Sequence, residues 1–290
     1  MSSETSSRLR MLIPYILLAP ALGYMAVFVG YPLIEAIALA FQDPDTGMFS
    51  LVNFETLTQD FHFWEALRFT FMLAAIIIPL QVLLALSVTL LLSTRFKGSD
   101  LVLYIFVIPL TISDVAAALI WYNILTGSGY LNRLLLNVGL IDKPIPFFGY
   151  AHRDMEILAI VITEVWRATA IVFVILFAGF QMIGRDYIEA AEVFGATRLQ
   201  KLRHIILPLL KPSLQTALII RTLFALQVFG VVWILAGRDI PVLAGEAYYW
   251  QTEIKNPNVA AAYSLIIAAS SVLLGWLYIK LLKPEYLVER

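Results

Sequence analysis

The sequence predicts an all-α, polytopic membrane protein that crosses the bilayer with six helices. Three observations point there. Of the 290 residues, 60% are hydrophobic and only 14% are charged, where a soluble chain carries roughly a quarter charged. The mean hydropathy is +0.83. The apolar residues also fall in blocks, several of which reach the ~20 residues that a bilayer-crossing helix needs. A net charge of -1 argues against nucleic acid as a partner. Without cysteine there is no disulfide framework, thiolate metal site or cysteine nucleophile.

The first span, drawn at about 11–41, opens with the uncharged run Met11–Ile34. That run is too long for a signal-peptide core and has no obvious small-residue cleavage site, so it is read as retained. Its prolines, Pro14, Pro20 and Pro32, are tolerated because neighbouring helices can satisfy the freed backbone groups. The second span, 69–94, is the uncharged run Phe69–Thr94. The third, 101–125, has Asp114 near its middle, and the fourth, 157–183, holds Glu164 and Arg167. The fifth, 205–237, is long enough to tilt or kink, with Lys211 near one end and Arg221 deep inside. The sixth, 259–282, is uncharged over Val259–Tyr278. Together they read as one transmembrane domain over 1–290.

Orientation follows the Lys and Arg bias of the loops. One side holds twelve (Arg8, Arg10, Arg95, Lys97, Arg185, Arg198, Lys201, Arg203, Lys211, Lys280, Lys283, Arg290) and the other six (Arg68, Arg133, Lys143, Arg153, Arg238, Lys255). Both termini are therefore expected in the cytoplasm of a cell-membrane protein. The longer connections 42–66, 126–156 and 238–258 then lie outside, the last with Tyr248, Tyr249 and Trp250 suited to an interface.

Loop 184–204 differs from the other connections. Asp186 with Glu189, and Thr197 with Gln200, have capping-box spacing. Gly195 stands where a first helix must end, in the left-handed conformation glycine accepts. Two short ordered helices are expected, with Ile188, Val193 and Phe194 apolar and Ala190 and Ala191 small enough to lie deep in another protein's groove. Read from physics alone, the loop fits equally well as an amphipathic segment packing on its own membrane domain.

Glu189-Ala190-Ala191, then Gly195, then Ile206-Leu207-Pro208, resembles the EAA loop of ABC importer permeases. The segment from Asn53-Phe54 through Asp60 and Phe63-Trp64 to Thr70 resembles the maltose-related sugar branch, as do Trp121 with Gly129 and Asn132, Glu164–Arg167, and Arg221-Thr222-Leu223. That similarity covers nearly the whole chain. It implies the type I ABC importer permease fold, with Glu189, Ala190, Ala191, Phe194 and Gly195 in a coupling helix that docks on a cytoplasmic ATPase. It also implies the partners: a second permease subunit in a heterodimer, two ATPase subunits, an extracytoplasmic sugar-binding protein and membrane lipid. No cofactor is expected on this chain, with ATP and Mg bound by the ATPases. Indeed the sequence has no G-x-x-x-x-G-K-[ST] phosphate loop. The implied cargo is a mono- or disaccharide such as trehalose, maltose or glucose.

Charges at membrane depth cost at least about 2.5 kcal/mol each by insertion scales, so Asp114, Glu164, Arg167 and Arg221 should face a cavity or each other. Glu164 and Arg167 are close enough on one helix to pair. One reading is a structural ion pair joining spans. The other is a sugar site in which Arg221, a lone cation deep in its span, acts with Glu164, Arg167 and Asp114, and Trp166, Gln227 and Trp233 complete the contacts. Asp114 is alternatively only a partner for Arg167 or Arg221. The relatives' RTLDAFRxFD becomes Arg221-Thr-Leu-Phe224-Ala-Leu-Gln227-Val-Phe229-Gly230, which lacks two acids and an arginine. His62, His152 and His204 have no ligand spacing.

Two other function classes compete. An ion-driven secondary transporter would use Asp114 and Glu164 as its relay. A membrane enzyme acting on lipid-linked sugars would need a carboxylate pair, which Asp43, Asp45, Glu55 and Asp60 do not supply at matched spacing.

Overall fold

A computed structural model describes residues 2–94 and 96–282. Of the cations counted above, Arg95, Lys283 and Arg290 lie outside the described residues. Among those described, the only extended pairing is an isolated antiparallel bridge between Gln42 and Phe49; all other regular structure is helical. Five helical stretches are long and apolar enough to cross a bilayer: Pro14–Ala40, Phe61–Ser93, Tyr150–Gln181, Arg198–Leu226 and Pro257–Leu281. A bent pair, Ser99–Thr111 with Asp114–Asn137, supplies a sixth when taken together.

Packing groups the chain into two compact units. One comprises the residues up to Asp60 with Ala247–Leu265; the other comprises Phe61–Glu246 with the chain from Ile266 onward.

In the first unit, α1 (Ser2–Met25) runs through a π turn at Ala26–Gly30 into α2 (Tyr31–Ala40). Pro32 falls at the start of α2, where its missing N–H costs little. The end of α2 leaves carbonyls without helical partners, and two amides take them. Asn53, in α3 (Val52–Gln59), donates to the Ala40 and Gln42 oxygens at 3.0 and 2.8 Å. Asn258 donates to the Leu39 and Gln42 oxygens at 3.0 and 2.9 Å. Asp60 accepts from Trp250 Nε1 at 3.2 Å and Tyr263 OH at 3.3 Å. Asn53 and Asp60 therefore serve the scaffold of this unit.

In the second unit, α4 (Phe61–Ser93) begins eight residues before the predicted span. Its first turns carry Glu65 and Arg68, charges that a hydropathy reading assigns to a loop. Glu65 is held by Arg153 at 2.7 Å, so the helix extends through its polar end. The third predicted span, 101–125, is not one helix. α5 (Ser99–Val107) passes into a 3-10 turn at Ile108–Thr111, and the stretch Asp114–Asn137, which opens with α6 (Asp114–Leu125), leaves at 105°. Pro109 disfavours continued helix there, and Ser113, with extended backbone, accepts the Ala116 N–H at 3.2 Å to cap a new helix. After α7 (Tyr130–Asn137) comes α8 (Arg153–Gln181), preceded by a 3-10 turn at Tyr150–His152. α9 (Arg185–Val193) and α10 (Arg198–Lys201) form loop 184–204.

The fifth predicted span is also divided. Following a π turn at Leu202–Ile206, α11 (Leu207–Leu226) stops at Gln227, and α12 (Gly230–Leu235) restarts beyond the break 227–229. The last helices among the described residues are α13 (Leu243–Thr252) and α14 (Pro257–Leu281), each of which crosses the unit boundary in sequence. The second unit's core is built from Leu73, Ile77, Ala118, Ile160, Val231 and Leu235, with a second cluster at Ala85, Val172, Phe173, Leu176 and Ala217. Small residues allow close helix approach. At Gly179 on α8, a Cβ would lie 2.6 Å from the Ser213 Cβ on α11, so these helices cross nearly backbone to backbone.

Candidate functional site

The loop between α8 and α11 folds as a locked elbow. At the end of α9, the Ala196 N–H reaches the Ala191 oxygen and the Gly195 N–H reaches the Glu192 oxygen, both at 2.9 Å. This double closure is the Schellman motif, with Gly195 at φ 75° in its left-handed position. α10 starts with the predicted capping box: Thr197 Oγ1 accepts from the Gln200 N–H at 3.3 Å, and Gln200 Oε1 accepts from the Thr197 N–H at 2.8 Å. Lys201 donates to Glu192 at 2.5 Å and ties the two helices across the turn. The other proposed box is absent. Gly184 is the N-cap of α9 and makes no side-chain cap. Asp186 sits in the first turn instead, where its charge still favours the helix N-terminus.

None of these backbone groups needs a partner protein, yet the elbow presents apolar side chains to solvent. Phe194 is 90% exposed and Val193 86%. Glu189, Ala190 and Gly195 are also exposed, with Ala191 half-buried. All five predicted coupling residues thus lie on one accessible corner. The Gly179–Ser213 crossing pins α8 and α11 just inside it.

The membrane-depth charges form a chain. Arg221 is 1% exposed and donates to Glu164 Oε2 and Gln81 Oε1, each at 2.5 Å. Gln81 Nε2 donates to the Glu164 backbone oxygen at 2.8 Å. Arg167 donates to Glu164 Oε1 at 3.0 Å and pairs with Asp114 at 2.8 Å. Arg221 is therefore not a lone cation: α4, α8 and α11 meet on its guanidinium. Sequence reading passes over Gln81. Its only signal was an amide inside an otherwise uncharged, apolar run.

Only one end of this chain surfaces. The Asp114 side chain is 49% exposed, at the start of α6, just past the first helix break. Gly230, just past the second break, packs against it: a Cβ there would lie 3.2 Å from the Asp114 Cβ. Two interrupted helices thus meet at Asp114. Beside them, Trp121 and Trp166 make an edge contact at 6.0 Å, and Trp233 packs on Phe229 at 5.6 Å. Gln227 is exposed within the second break. Two buried donors on this seam, Arg167 Nε and Trp121 Nε1, have no hydrogen-bond partner, although nearly all buried polar groups are paired. The rim can offer the Asp114 carboxylate, the Gln227 amide and aromatic faces to an uncharged, hydroxyl-bearing ligand. Among the described residues no group of three or more His, Cys, Asp or Glu could hold a metal.

Comparison with known proteins matches residues 81–283 to the family described as "binding-protein-dependent transport system inner membrane component". The trehalose transport system permease protein SugA of Mycobacterium tuberculosis is 30% identical over 290 residues, covering 96% of this chain and 92% of that protein. The trehalose/maltose transport system permease protein MalF of Thermococcus litoralis is 31% identical over 229 residues, covering 77% and 76%. Among solved structures, a bacterial ABC transporter involved in import of the acidic polysaccharide alginate superposes with a TM-score of 0.81 at 22% identity, covering 96% of this chain and 97% of that one.

Proposed function

We propose a specific role from an established premise: this chain belongs to the family of binding-protein-dependent transport system inner membrane components. It forms one half of the membrane pathway of an ATP-driven sugar importer. A second permease completes the pathway, two cytoplasmic ATPases bind ATP and Mg, and an extracytoplasmic binding protein delivers the sugar. Both termini and the α9–α10 elbow face the cytoplasm. The cargo is a mono- or disaccharide of the trehalose, maltose or glucose kind, consistent with what the SugA and MalF names say of those relatives.

One observation supports coupling above all: a corner rigidified by three independent local locks leaves Phe194 exposed at its tip. Exposing such a side chain to water has no use in isolation, and it fits a knob seated in a partner's cleft. Ser213 under Gly179 passes displacement of the elbow directly to α8 and α11. Force from ATPase closure then reaches the helices that hold the ion chain.

In the pathway, Asp114, Arg167, Trp166, Gln227 and Trp233 contact the sugar. Glu164 and Arg221 lie beneath them as positioning residues that fix Arg167. The test uses the purified assembly. Phe194→Asp and Glu189→Lys should each leave thermal stability within about 0.5 kcal/mol, as surface changes do, while ATPase co-purification and ATP-driven sugar uptake fall away. Wild-type amounts of ATPase bound to either variant would overturn the coupling role. Uptake that stops when an ion gradient is collapsed with ATP still present would overturn the importer.

A further inference from the structure

A cavity of about 1380 Å³ lies inside the elbow, between it and the ends of α4 and α8. We infer that it binds the headgroup of an anionic phospholipid from the leaflet on the elbow's side; this rests on the reading that the elbow is cytoplasmic and faces the ATPase.

The cavity's walls have two chemistries. Leu90, Leu91, Phe177, Phe180 and Ile183 form an apolar wall from the last turns of two membrane spans and the residues just past them. Arg185, Arg198 and Lys201 supply the elbow side, and Glu192 is the only acid among the described lining residues. Glu192 is already bonded to Lys201 at 2.5 Å. Arg185 and Arg198 form no ion pair with any described residue.

Two unpaired arginines beside a cavity at the membrane boundary attract an anion, and basic pockets between spans on the cytoplasmic side suit anionic headgroups. A free phosphate would use the cations and leave the apolar wall wet. An acyl chain covers that wall with the hydrophobic gain of apolar contact. The volume also exceeds the roughly 300–1,000 Å³ typical of small-molecule pockets, which further favours a lipid. Because Lys201 and Glu192 both line the cavity and lock the elbow, an occupying lipid bears directly on the coupling joint.

The test uses the complete importer, with companion permease and ATPases, carried from detergent into native mass spectrometry with phosphatidylglycerol or phosphatidylcholine added. Wild type should retain phosphatidylglycerol preferentially. Arg185→Gln with Arg198→Gln should lower that retention on the order of tenfold, from the loss of two headgroup cations. Leu91→Trp, which fills the cavity from α4 and leaves the elbow's cations in place, should lower it as well. A photoreactive phosphatidylglycerol should label peptides within 87–94 and 177–202. Equal retention of the two lipids, displacement of the lipid by inorganic phosphate alone, or cross-links showing a companion subunit filling the cavity would each overturn the assignment. ATPase co-purification with wild type, read in the same preparations, reports on the importer separately, so either idea can fail without the other.

Discussion

The ion chain around Arg221 and the α9–α10 elbow are two polar regions of a largely apolar chain, and they use polarity in opposite ways. In the ion chain the charged groups are consumed by one another: Arg221 by Glu164 and Gln81, Arg167 by Glu164 and Asp114. At the elbow, the backbone is satisfied locally and the apolar Val193 and Phe194 are left outward. A charge buried in a network is a structural joint between helices; an exposed residue on a rigid frame is free to meet a partner. The same residue types, Glu and Arg, do both jobs.

Four changes would break or sharpen that contrast. The largest effect is expected at Arg221→Met. Removing one partner leaves Glu164 buried with half its pairing, at a cost of about 3–5 kcal/mol. Thermal unfolding of the purified assembly should show it whether or not sugar is present. Glu164→Gln combined with Arg221→Met should recover a large part of that loss, because the uncompensated charge is gone; a double mutant no more stable than the single would mean that the two residues do not act as a pair.

Next is Gly179→Ala. A Cβ placed 2.6 Å from the Ser213 Cβ forces α8 and α11 apart, for about 1–3 kcal/mol of overpacking strain. ATP-stimulated uptake should fall more than ATPase binding does, since the joint still docks but transmits less; equal loss of both would refute transmission through this crossing.

Gly195→Ala is a smaller, local lesion. A left-handed alanine costs roughly 1–2 kcal/mol, confined to the elbow, so hydrogen exchange should rise over 186–203 and stay unchanged at Arg221. Exchange that rises at both sites would show that the two regions are not separable.

The smallest stability effect belongs to Asp114→Asn. Its half-exposed ion pair is worth under about 1 kcal/mol, yet the apparent affinity for sugar should weaken. An unchanged affinity would leave Asp114 only a partner of Arg167.

Legibility in the sequence follows the range of the interaction. The elbow could be read in advance because Thr197 and Gln200 are three residues apart and Gly195 directly follows its helix; both signals act over one turn. Asp186 misled because a first-turn acid and an N-cap acid look alike until the backbone fixes which residue precedes the helix. The break after Pro109 was written in Pro109 and Ser113, but a hydropathy window averages over both. The end of α11 at Leu226 was hidden inside a continuous apolar run.

The sequence by itself determined the membrane-spanning blocks, the elbow and its caps, and the need for the intramembrane charges to find partners. Each is a matter of composition or of neighbours within a turn, where backbone geometry leaves few options. Only the tertiary structure decided which partners those charges found. Arg221 meets Gln81 across 140 positions of chain, and Asp114 meets Gly230 where two helices are interrupted. Such pairings depend on how helices cross, which side-chain volume and close approach settle in three dimensions and local propensity does not encode.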